Sequence, residues 1–164
     1  MAAQEPLTNP SRRPWSVALS EPESWISIAK WGAITGVGFF LFASLMNVLV
    51  KALTGGSSDT SGSLAFALPY CGSIFAFFFG LYTAGYKAAQ DRLHVAPGVL
   101  STVFLLVLAQ VLQALFTRKI MTPSGPPLVA VISLLLYLGL VLGIGYMGAF
   151  YGVKNKLKAA AKAR

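Results

Sequence analysis

Uncharged polar side chains inside long apolar runs are the residues of this sequence best placed to do chemistry. Hydroxyl, phenol and amide groups donate and accept hydrogen bonds without carrying a charge. Gathered between helices, they would form a small polar pocket for a lipid headgroup, a quinone-like molecule or another solute. Their alternative role is hydrogen bonding between helices, which contributes about 0.6 kcal/mol per contact in a membrane. The candidates are Ser44, Asn47, Tyr70, Ser73, Gln110, Gln113, Ser133 and Tyr137.

Residue types that carry catalysis or bind metals are scarce. His94 and Cys71 are each the single residue of their type, so neither a zinc site nor a haem with two histidine ligands is predicted. We expect His94 to be a solvated loop residue and Cys71 to pack among apolar neighbours. The apolar runs contain no carboxylate, and the chain has no phosphate-binding glycine loop, Ser/His/Asp set or pair of acids. The sequence therefore predicts neither an enzyme nor a cofactor.

Composition places the chain in a membrane. Hydrophobic residues make up 55% and charged residues 11%, whereas soluble domains carry roughly 25% charged residues. A net charge of +8 would suggest nucleic acid as the partner of a soluble protein. Here the basic residues flank apolar runs, which is typical of membrane topology and anionic headgroups. Membrane lipids are therefore the predicted partners, and nucleic acid is not.

Four apolar runs predict an all-α, polytopic membrane protein with four transmembrane helices. The runs cover approximately 26–50, 64–88, 98–116 and 128–153, and about 20 residues suffice to cross a bilayer. The first run is too long for a signal peptide, so we expect it to be retained. The predicted organisation is a flexible tail over 1–19, a transmembrane domain over 20–153 and a basic tail over 154–164.

The distribution of lysine and arginine predicts the orientation. With four spans, both termini lie on one side, and ten basic residues fall there against three on the other side. Because basic residues concentrate in the cytoplasm, both termini are predicted to be cytoplasmic, in a bacterial inner membrane or an organellar one. The ten are Arg12, Arg13, Lys30, Lys87, Arg92, Lys154, Lys156, Lys158, Lys162 and Arg164, and the three are Lys51, Arg118 and Lys119.

Small residues recur at every fourth position in three of the runs. Residues four apart share one helix face, and a face of small residues lets another helix approach closely in lipid. We expect these faces to pack within this chain, with docking onto another protein as the alternative. The residues concerned are Gly32, Gly36, Gly72, Ala76, Gly80, Ala84, Gly139, Gly143, Gly148 and Gly152.

One segment carries a resemblance to a known class of protein. The run Gly80-Leu81-Tyr82-Thr83-Ala84-Gly85-Tyr86-Lys87, followed by a short basic turn and a third apolar helix, resembles small bacterial four-helix membrane proteins of uncharacterised function. The resemblance covers about a quarter of the chain and implies a fold and a membrane location, with no activity attached. The glycine-rich start of the third helix in those proteins is reduced here to Gly98.

Two functions remain open from the sequence. The first is a non-catalytic accessory, scaffold or assembly subunit of a larger membrane complex, which would pack against other integral membrane proteins or form a homo-oligomer. Its contacts would be the small-residue faces and the bulky side chains of Phe75, Phe78 and Phe79. The second is a small transporter or a lipid- or solute-binding protein that uses the uncharged polar residues.

Overall fold

A computed structural model describes residues 14–53, 64–117 and 127–162, and within these ranges the chain is all-helical, without strands. The predicted all-α class is confirmed. The helices are α1 (Trp15–Ser20), α2 (Pro22–Leu53), α3 (Leu64–Arg92), α4 (Val95–Thr117) and α5 (Pro127–Lys162).

Three of the described helices are long and apolar enough to cross a membrane. Their candidate spans are Pro22–Ala52, Val95–Leu112 and Val131–Lys162, and they indicate a membrane protein. Helix α3 is 29 residues long but is not among the candidates.

The predicted N-terminal tail contains a short helix. Within the sequence predicted to be flexible, residues 15–20 form α1, and Ala18 is buried. Two side chains from the start of α2 hold this helix, since Ser24 Oγ donates to the carbonyl of Ala18 at 2.7 Å and Trp25 Nε1 donates to that of Leu19 at 2.8 Å. These bonds explain why the segment is ordered, although its composition lacks a helical period.

The four long helices alternate in direction. Ser27 of α2 lies against Ala88 of α3, while Phe39 further along α2 meets Phe77 earlier in α3, so these two helices are antiparallel. Helices α3 and α4 each contact the other three long helices, which places α2 and α5 on opposite sides of a central pair. The start of α2, the α3–α4 turn and the end of α5 consequently meet at one end of the bundle.

Burial divides the bundle into two halves. We call residues 14–36, 81–106 and 141–162 the turn-side half, and residues 37–53, 64–80, 107–117 and 127–140 the far half. Every buried side chain in the described part of the chain belongs to the turn-side half. Its core centres on Leu81, Leu105 and Val141, which have no exposed surface. In the far half, Phe75 is 72% exposed.

Candidate functional site

Glycines bring α3 and α5 into backbone contact in the turn-side half. A Cβ atom added to Gly148 would overlap the carbonyl of Tyr82, and one added to Gly152 would overlap the carbonyl of Tyr86. These are two of the predicted packing residues. Because the obstructing atoms are backbone atoms, no rotation of a side chain can make room for a larger residue.

Three further glycines complete this contact and did not stand out in the sequence. A Cβ on Gly85 would lie 2.5 Å from the carbonyl oxygen of Gly145, and one on Gly145 would lie 2.5 Å from Thr102 Oγ1 of α4. Gly98 of α4 lies against both α3 and α5. A Cβ added to it would lie 2.5 Å from Ala149 Cβ and 2.5 Å from the Gly85 carbonyl oxygen. For Gly85, the sequence signal was its spacing of four residues from Ala89. This pair is shifted by one position from the small residues that include Gly80 and Ala84.

The remaining predicted packing residues that contact other helices lie on α2 and on α3. Gly32 lies against α4, where an added Cβ would approach Phe104 Cδ1 to 2.7 Å, and Gly36 lies against Leu108 at 3.2 Å. Ala84 is fully buried, whereas Gly80 leaves room for a methyl group beside Leu105 at 3.9 Å. Ala76 is half-buried at the junction of α2 and α3.

No contact in the described part of the chain supports the packing predicted for Gly72, Gly139 and Gly143. An atom added at any of these positions would meet nothing within 4 Å. Four-residue spacing puts Gly139 and Gly143 on one face of α5, but that face turns away from α3 and α4. Spacing determines which residues share a face and leaves open whether a helix covers it.

The predicted polar pocket does not form among the residues that the structure describes. Asn47, Gln110 and Ser133 are exposed, Ser44 and Ser73 are half-buried, and Tyr137 is partly exposed and stacks on Phe77 of α3. The side chains of Tyr70 and Gln113 lie outside the described set. At ~1.5 Å per residue, Asn47 and Gln110 lie roughly 10 Å from the ends of their helices.

Charged residues instead gather at the α3–α4 turn. Arg92 donates from Nη2 to Glu21 at 2.5 Å and from Nη1 to Glu23. Burial alone would lower the pKa of Arg92, but the hydrogen bonds and charges of the two glutamates raise it. Arg92 therefore stays charged and joins the end of α3 to the start of α2.

His94 is buried at this turn, which corrects the expectation of a solvated loop residue. Its side chain is 4% exposed, and Nδ1 accepts a hydrogen bond from the backbone nitrogen of Ala96 at 3.0 Å. The imidazole thereby satisfies one of the free amides at the start of α4. Leu93 forms the sharp bend before it with a φ of 54°. Cys71, expected to be packed, is exposed on α3.

Beside the turn, two lysines approach one indole ring. Trp31 of α2 donates from Nε1 to Asp91 Oδ2 at 2.5 Å. The Nζ atoms of Lys30 and Lys87 lie 5.0 and 5.9 Å from the centre of its ring.

An open groove of about 240 Å³ runs between α2 and α3. Its lining combines small residues, phenylalanines and two threonines. The lining residues are Thr35, Gly38, Phe39, Phe42, Ala76, Phe79, Gly80 and Thr83.

Comparison with known proteins gave no match to a protein family, a curated protein or a solved structure. Among the described residues, no group of three His, Cys, Asp or Glu side chains could hold a metal ion. The fold and geometry thus define a class: an all-helical membrane protein with one closely packed half and one open half.

Proposed function

We propose that this chain is a non-catalytic accessory or scaffold subunit of a larger membrane complex, docking through residues 131–143 of α5. In this proposal α3 is the fourth span, and the end with the α3–α4 turn faces the cytoplasm. The membrane is a bacterial inner membrane, as the resemblance implies. The excess of lysine and arginine at the turn end supports that orientation.

The observation that carries the proposal is the exposure of α5 over residues 131–140. Every side chain in this stretch is exposed, and Leu136 reaches 70%. Gly139 and Gly143 lie on the open surface of the same helix. In lipid, helices associate chiefly through close packing, for which small residues are suited. A helix of another integral membrane protein can therefore approach α5 closely at these two glycines.

The alternative, a transporter with a polar pocket, has less support. It requires the uncharged polar side chains to converge, and the described ones at Asn47, Gln110 and Ser133 point outward. The groove between α2 and α3 includes none of the candidate polar residues. Docking through α5 makes use of the open surface and does not require polar groups to converge.

The test is gentle extraction from the native membrane, followed by size separation and mass spectrometry of the co-migrating proteins. Gly139→Leu and Gly143→Leu should abolish co-migration with a defined complex. Gly72→Leu is the matched control, because it makes the same change at another open position on α3, and it should leave co-migration intact. The melting temperature of each purified variant should stay within about 2 °C of the wild-type value.

Two results would overturn the proposal. One is a wild-type chain that migrates alone or only with copies of itself. The other is a complex that survives both substitutions on α5. Loss of co-migration accompanied by a lower melting temperature would also count against docking, because it would show that these glycines stabilise the chain itself.

A further inference from the structure

The groove between α2 and α3 ends one helical turn from the basic residues around Trp31, since Thr35 and Thr83 are its last lining residues on that side. On α2, Trp31, Thr35, Gly38 and Phe42 recur at spacings of four, three and four, so they share one face. On α3, Lys87, Thr83, Gly80 and Ala76 follow the same spacings in the opposite direction. Because the helices are antiparallel, the two faces border one channel whose charged end lies at Trp31 and Lys87.

The charged end has positive charge left for an anion. Lys30 and Lys87 form no ion pair with a carboxylate in the described ranges, and their ammonium groups both approach the Trp31 ring. Asp91 accepts a hydrogen bond from the Trp31 indole, so two positive charges face one negative charge. Arg92, one residue later, is by contrast paired with two glutamates. A single phosphodiester would balance the charge beside Trp31.

The rest of the channel is apolar. The Thr35 hydroxyl donates to the Trp31 carbonyl at 2.5 Å, so it is already hydrogen-bonded within its own helix. Gly38 leaves its position open, since an added Cβ would meet nothing within 4 Å. Phe39, Phe42 and Phe79 provide the remaining walls. An unbranched hydrocarbon chain suits this surface better than a polar solute does.

The dimensions fit one acyl chain. Phe42 follows Trp31 by eleven residues, or roughly 16 Å along the helix, and half of a typical hydrocarbon core is about 15 Å. The groove volume of about 240 Å³ is below the roughly 300–1,000 Å³ of pockets that enclose small ligands. The groove is open to the bilayer, so one tail can lie along it with part of its surface exposed to other lipids, while the second tail stays in the surrounding bilayer.

We propose that this channel is a binding site for one anionic phospholipid. The phosphate lies beside Trp31 and accepts hydrogen bonds from Lys30 and Lys87. One acyl chain follows the groove past Gly38 and Gly80 to Phe42. This site lies on α2 and α3, separate from residues 131–143 of α5, so it stands independently of the proposed docking function.

Native mass spectrometry of the full chain in detergent tests the site, with dioleoyl phosphatidylglycerol as the probe and dioleoyl phosphatidylcholine as the neutral reference. The double substitution Lys30→Gln with Lys87→Gln should lower the phosphatidylglycerol preference about thirtyfold, since each lysine near an anionic surface contributes about fivefold. Lys30→Arg with Lys87→Arg retains the charges and should retain most of the preference. Lys158→Gln with Lys162→Gln removes two exposed charges from α5 and should change it less than twofold.

The acyl-chain part of the proposal has its own test. Gly38→Leu places a side chain in the groove and keeps both lysines, so phosphatidylglycerol binding should fall at least tenfold. Millimolar inorganic phosphate should not displace the lipid from the wild-type chain. Displacement by phosphate, or unchanged lipid binding by Gly38→Leu, would show a simple anion site and overturn the proposal. Equal losses in the Lys30/Lys87 and Lys158/Lys162 variants would overturn it too, by showing that only total charge matters.

Discussion

The two halves of α5 show what the same local pattern does with and without a neighbouring helix. Gly148 and Gly152 of the turn-side half are four residues apart and lie against the backbone of α3. Gly139 of the far half and Gly143, just past the boundary, are also four apart and meet nothing within 4 Å. The turn-side half therefore obtains its packing from backbone contact across glycines. The far half presents a surface of similar composition that no helix of this chain covers.

The turn-side half is further tied together by polar groups. Arg92 links α3 to α2, His94 caps α4, and Lys156 Nζ donates to the carbonyl of Gln90 at 2.7 Å. In the far half, the described ring contacts, such as Phe77 stacked on Tyr137 at 6.1 Å between centroids, are the main links between α3 and α5. We therefore expect substitutions of equal size to have very different effects in the two halves.

The largest expected effect comes from Gly148→Leu. The new side chain would overlap the Tyr82 carbonyl, and because overpacking against backbone cannot be relieved by a rotamer change, we expect a loss of about 3 kcal/mol or more. Gly139→Leu makes the same change nine residues earlier, on the open surface of the far half, and should alter the free energy of unfolding by less than about 0.5 kcal/mol. Equilibrium unfolding in mixed micelles measures both. Equal losses would remove the distinction between the halves.

A smaller loss is expected from Arg92→Gln. The substitution leaves Glu21 and Glu23 without their shared cation. Because Glu23 is largely exposed, the cost is about 1 kcal/mol, near the upper end of the range for solvated pairs. The same unfolding assay measures it, with Lys158→Gln as the control for loss of one exposed charge. A difference between the two variants that persists in 1 M salt would contradict a mainly electrostatic role.

His94→Ala tests the cap of α4. Removing the acceptor for the Ala96 amide should cost about 1 kcal/mol, as the loss of an N-terminal cap usually does. His94→Asn supplies a side-chain oxygen that can accept the same bond and should recover most of the stability. If the alanine and asparagine variants unfold alike, then burial of the ring rather than capping is what His94 contributes.

The smallest effect is expected in the far half, from Asn47→Leu combined with Gln110→Leu. Both side chains are exposed, so their replacement should change the free energy of unfolding by no more than about 0.5 kcal/mol. A loss of about 2 kcal/mol or more in the free energy of unfolding would show that these residues are hydrogen-bonded within the bundle. That result would support the predicted polar pocket.

Much of the fold was predictable from the sequence, because helix class and approximate boundaries follow from apolar runs and their end signals. The packing of Gly148 and Gly152 was predictable for the same reason. The difference from Gly139 and Gly143 was not, since spacing defines a face but does not identify its neighbour. The prediction that His94 is solvated was wrong, because a connection of only two residues between long helices leaves little room for a solvated side chain.

The channel between α2 and α3 could not be predicted from the sequence, for a different reason. Lys30 and Trp31 are more than fifty residues from Lys87, and only the antiparallel register of α2 and α3 brings them together. The signals on each helix were separately visible: small residues on α3, and an aromatic residue suited to the membrane surface on α2. Their combination depends on which faces meet.

The most direct test of the difference between the halves is a spin-label scan of α5. Single labels at positions 131 to 153 of the purified chain in lipid vesicles would report accessibility to oxygen, which concentrates in the hydrocarbon region. Our account predicts high accessibility over 131–140, with a single lower value at Tyr137, which stacks on Phe77. Beyond that point it predicts a helical period with minima at 141, 145, 148, 149, 152 and 153. A period of 3.6 residues that continues unchanged through 131–140 would show that the far half of α5 is packed within the chain, and it would contradict the account.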